Sequence, residues 1–87
     1  MTILEYSTTH EAIQNAILAR MVAAKKKHPD TGISFVKRLE SIEREVAKIR
    51  EALESGDLDH VMYECADAGV TVYRLMEELH RHAGVRI

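Results

Sequence analysis

Four ionisable side chains in this 87-residue sequence are spaced for phosphate or metal chemistry. Glu45 and Lys48 stand three residues apart, as do Glu64 and Asp67, and residues three apart on a helix share a side. Gly56 lies midway between the pairs: Glu45 is eleven residues before it and Asp67 eleven after, Lys48 eight before and Glu64 eight after. If Gly56 turns two antiparallel helices, residues equally far from it lie at one height. The two levels are then about 4.5 Å apart at the helical rise per residue, and three carboxylates and an ammonium converge if the faces that carry them turn toward each other, a rotation that spacing alone leaves open. Such carboxylates are hard oxygen donors of the kind that magnesium takes. The competing reading is a set of solvated ion pairs between helices, each worth under about 1 kcal/mol. That is the commoner use of Glu-x-x-Asp on a helix surface.

Other polar groups carry weaker signals. His60, Glu64, Asp67, Thr71, Arg74 and Glu78 recur at three- and four-residue steps and form one polar row along a helix. The row could ligate a metal, but a water-facing stripe, with Arg74 and Glu78 paired at i, i+4, is the expected arrangement. His80 and His82 are two apart, share no helix face, and read as C-terminal cations rather than ligands. Lys25-Lys26-Lys27-His28 suits the negative end of a helix dipole better than RNA, since no aromatics interleave it. Twelve Lys and Arg against fourteen Asp and Glu leave a net charge of -2, so nucleic acid is not an expected partner. Cys65, the one cysteine, lies among apolar neighbours and reads as a buried inert thiol of a reducing cytoplasm. Tyr63 and Tyr73 read as core or interface residues. Neither a glycine-rich phosphate loop nor a Ser-His-Asp set is spelled, so no catalytic base or nucleophile is assigned.

The elements that must position these groups follow from hydrophobic spacing. One Pro and four Gly divide segments of helical rather than alternating period. A first helix is expected over about 9–27, opened by the capping-box spelling Thr8-Thr9-His10-Glu11 and ended by Pro29 and Gly32. Its stripe is Ile13, Ala16, Ile17, Met21 and Ala24. A second helix over about 34–54 carries the seam Leu39, Ile42, Val46, Ile49 and Leu53, and stops at Ser55-Gly56. A third, capped by Asp57, covers about 58–82. Its apolar positions fill two adjacent rows, Val61, Cys65, Ala68, Val72, Leu75, Leu79 and Met62, Ala66, Gly69, Tyr73, Met76, which predicts burial over a wide face. The short link around Gly56 makes helices two and three an antiparallel hairpin.

The whole chain therefore reads as one all-α domain, 1–87. Its longest apolar runs are too short for a membrane span. With no Trp and one Phe its core rests on aliphatics, and the small residues Ala66, Ala68 and Gly69 suit close approach by a partner. A homo-oligomeric bundle, dimer or tetramer, is expected.

The stretch from Glu45-Val46-Ala47-Lys48-Ile49 to Ala52-Leu53, followed by Glu64-Cys65-Ala66-Asp67, resembles the all-α nucleoside triphosphate pyrophosphatases, the MazG-like superfamily. Their pattern is two adjacent Glu, a third Glu three residues on, then Glu-x-x-Asp on the next helix. The likeness covers about residues 35 to 80. It implies a magnesium-dependent pyrophosphohydrolase that splits a nucleoside triphosphate between its α and β phosphates, with Glu45, Glu64 and Asp67 as metal ligands. Arg44 and Lys48 stand where the family has acids. Bare carboxylates about 4 Å apart repel by roughly 4 kcal/mol at an effective dielectric of 20, and here Lys48 supplies compensating charge in place of an ion. The expectation is a weakened or lost metal site and weak or lost catalysis, with Lys48 contacting a substrate phosphate. A non-catalytic helical module that binds another protein is the alternative.

Overall fold

The computed structural model describes residues 2–29 and 34–87. It is all-α: α1 spans Ile3–Lys27, α2 Phe35–Ser55 and α3 Leu58–Ala83. The hairpin forms as the turn residues dictate. Gly56 takes the left-handed conformation at φ 77° that a residue with a Cβ resists, and the Asp57 carboxylate accepts the His60 amide at 3.1 Å to open α3. Ser34 opens α2 in the same way, accepting the Lys37 amide.

The start of α1 corrects the sequence reading. The helix begins at Ile3, where the Thr2 hydroxyl accepts the Glu5 amide at 3.1 Å. Thr2-Ile3-Leu4-Glu5 repeats the spelling found at Thr8 to Glu11, and the upstream copy prevails because it adds helical hydrogen bonds before the same apolar stripe. Thr8 and Glu11 lie inside the helix. His28 caps its other end, and Gly32 lies outside the described residues.

α3 is the central element, since α1 and α2 each pack on it. Among the described residues no Cα of α1 comes within 8 Å of one in α2. α1 leans on α3 through Met21, which is buried, and through Ile17, which fills the space left by the missing side chain of Gly69. A Cβ there would stand 2.9 Å from the Ile17 Cδ1. Gly69 is thus used by the chain's own first helix.

The faces are arranged inversely to expectation. The polar row of α3 is not a water-facing stripe: Glu64 and Glu78 are buried, and Asp67, Thr71 and Arg74 are half-buried. Opposite them α2 turns Arg38, Ser41, Ile42, Glu45, Ile49 and Ala52 inward. Of the α2 seam only Ile42 and Ile49 are covered, while Leu39, Val46 and Leu53 are each about half exposed. The wide apolar face of α3 is likewise only partly covered. Met62, Val72, Tyr73 and Met76 are open, and Cys65, expected to be buried, is exposed. One leading helix cannot cover two apolar faces.

The dimensions agree. The accessible surface is 6771 Å², against about 5,200 Å² for a folded monomer of this mass. The radius of gyration, 14.5 Å, exceeds the roughly 12 Å of a compact chain of this length. No described helix is long and apolar enough to cross a membrane.

Candidate functional site

The level-matching about Gly56 holds. Glu45 lies on the inward row of α2, Glu64 and Asp67 on the inward row of α3, and one carboxylate oxygen from each falls within 4.8 Å of the others. Glu64 is 7% exposed, while Glu45 and Asp67 are half-buried. Glu45 therefore faces Glu64. Lys48, one turn along α2, stays at the rim with its side chain 54% exposed and reaches back to the Glu45 Oε1 at 3.3 Å.

Each carboxylate has one basic neighbour. Besides Lys48 on Glu45, the Arg20 guanidinium donates to the Asp67 Oδ1 at 2.8 Å, and the His60 Nε2 lies 3.3 Å from the Glu64 Oε1. Arg20 also donates to the Tyr63 carbonyl at 3.3 Å and sits 4.1 Å from the centre of the Tyr63 ring, a cation on an aromatic face. His60 stacks on the same ring, with centroids 6.2 Å apart. Three carboxylates against the cations Lys48 and Arg20 leave one net negative charge. The hydrogen bond to Glu45 and that carboxylate's charge raise the Lys48 pKa above its ordinary value, against a small loss from desolvation; Glu64 and Asp67 add to the rise.

These partners do not exhaust the oxygens. Glu45 Oε2 and Glu64 Oε2 are both buried and accept no hydrogen bond. A buried carboxylate oxygen without a partner carries a desolvation penalty, and two of them together are the donor set that a hard cation relieves.

Beyond the carboxylates a cleft near 520 Å³ opens between α1 and α2, with α3 as its floor. Arg20, Lys27, Arg38, Arg44 and Arg74 line it, with Glu45 and Asp67 at the carboxylate end. Further along α3, Arg38 meets Glu78 at 3.2 Å with both side chains 8% exposed, and Lys25 meets Glu77 at 2.9 Å. The expected Arg74 and Glu78 pair is thus replaced. Glu78 is held by Arg38 and lies 3.5 Å from His82, and Arg74 donates to the His28 carbonyl at 2.8 Å. Sequence reasoning missed Arg20 and Arg38. Counting from Gly56 registers α2 on α3, and no equivalent turn registers α1; Arg38 and its partner Glu78 are not equally far from Gly56, so counting does not pair them.

The fold defines an all-α chain, a helical hairpin with a leading helix. No family model, curated protein or solved structure matches it.

Proposed function

We propose that this chain is a relative of the MazG-like nucleoside triphosphate pyrophosphohydrolases, with attenuated catalysis, that binds a nucleoside triphosphate with magnesium at Glu45, Glu64 and Asp67. The observation that supports this reading best is the pair of buried, unpartnered oxygens on Glu45 and Glu64, gathered with Asp67 from two helices. The all-oxygen donor set fits the ion. Bound magnesium would draw charge from the phosphate oxygens and so ease attack by water. The chain's own residues do the rest. Arg20 holds Asp67 in place, and Lys48, exposed at the rim, is free to swing from Glu45 to a substrate phosphate. Both cations also compete with the ion, which lowers its affinity. Release of pyrophosphate from a nucleotide panel with magnesium tests the activity: slow release, abolished in Glu64→Gln, is expected. Absence of release together with absence of magnesium binding would end this reading.

The same chain is proposed to act as a homo-oligomer, dimer or tetramer. Its surface exceeds that of a compact monomer by about 1,600 Å², within the range one chain hides in an obligate interface, and Leu39, Val46, Leu53, Met62 and Met76 supply apolar area there. A second reading, a non-catalytic module that binds another protein, draws on the basic neighbour beside every carboxylate. Magnesium binding by the wild-type chain separates the two.

A further inference from the structure

We propose that the cleft between α1 and α2 binds a short phosphate chain directly through its cations, without a divalent ion. Five cations, Arg20, Lys27, Arg38, Arg44 and Arg74, face only two carboxylates, Glu45 and Asp67, in that cleft. Cations thus outnumber carboxylates in the lining, in a chain whose total charge is -2. Charge of this sign is concentrated where three helices form a concave wall, the geometry that focuses a field on a small anion. Part of the charge is already paired, Arg20 with Asp67 and Arg38 with Glu78. Arg44 instead donates to a neutral oxygen, the Ser41 hydroxyl, at 3.0 Å, which leaves its charge uncompensated there. Among the described residues Lys27 makes no ion pair. Guanidinium forks match phosphate oxygens two at a time, and a volume near 520 Å³ is that of a small-molecule site rather than a track for a nucleic-acid backbone. In the reading above, phosphate is held through magnesium; here the chain's own side chains hold it, with or without hydrolysis.

Calorimetric titration of the full chain with inorganic tripolyphosphate in EDTA tests this. Saturable binding at one site per chain is expected, weakening with added salt. It should fall about tenfold in Arg44→Gln and in Lys27→Gln, the scale of one charge-assisted hydrogen bond. Both side chains are exposed, so the helical circular dichroism should be unchanged, and Arg50→Gln, on the outer face of α2, should bind as the wild type does. No saturable binding, or wild-type affinity in both cleft variants, overturns the proposal. So does displacement of tripolyphosphate by an RNA oligonucleotide at a lower concentration than tripolyphosphate itself requires, which would assign the cations to nucleic acid. Pyrophosphate release is followed on the same variants. Binding in EDTA with neither hydrolysis nor magnesium binding defeats the enzyme reading alone; hydrolysis without binding in EDTA defeats this one alone.

Discussion

Lys48 and Arg38 place a cation against a glutamate in two different ways, and the difference sets what each substitution does. Lys48 is exposed, and its pKa is raised by Glu45. Its contribution to stability is therefore complete below lysine's ordinary value, about 10.4, and is lost only as pH climbs through the raised one. Solvent screens that contribution. Because Lys48 stays an ammonium through neutral pH, its competition with magnesium should not vary there. Lys48→Glu removes the competitor and adds a ligand; calorimetry should show magnesium binding at least about tenfold tighter, a gain of ~1.4 kcal/mol. Unchanged affinity in a folded variant would dismiss the competition. Arg38 is buried against Glu78. Arg38→Met strands a buried carboxylate and should lower the urea unfolding free energy by about 3 kcal/mol, whereas Arg38→Met with Glu78→Leu should recover most of that loss.

The helices were largely legible, because caps and turns are local chemistry. Ser34, Gly56 and Asp57 act where their residue types predict, and Gly56→Ala, forced to φ 77°, should cost about 1 kcal/mol in thermal or urea unfolding. The start of α1 was misread since two capping spellings compete and local rules do not rank them. How α1 docks was not legible, because contact between Ile17 and Gly69 joins residues 52 positions apart. Gly69→Leu should lift α1 from α3 while leaving the hairpin, which does not use that contact. Hydrogen exchange should then lose protection over α1 alone; uniform loss would show that α1 and the hairpin unfold as one unit.

At the scale of the whole molecule, charged groups share the space between the helices with a few apolar side chains, and many large aliphatics lie outside it. Only Met21, Ala52 and Val70 are buried apolar residues among those described, beside the buried Arg38, Glu64 and Glu78. So small an apolar core is a weak source of stability for a chain of this size, and the uncovered faces of α2 and α3 are where more is available. Light scattering should report two or four chains per particle, and the double substitution Val46→Glu, Leu53→Glu should reduce the mass to one chain with loss of thermal stability. A stable wild-type monomer at millimolar concentration would remove the argument from surface area.

From residue types and spacing alone came the helical class, the hairpin, and the matched heights of Glu45 with Asp67 and of Lys48 with Glu64, because a turn and a constant rise per residue set heights along paired helices. Rotation about the helix axes is a different quantity. It depends on which side chains win the space between elements, and only the tertiary structure decided that Glu45 faces in, that Lys48 stays at the rim, and that Arg20 arrives from a helix no local rule could align.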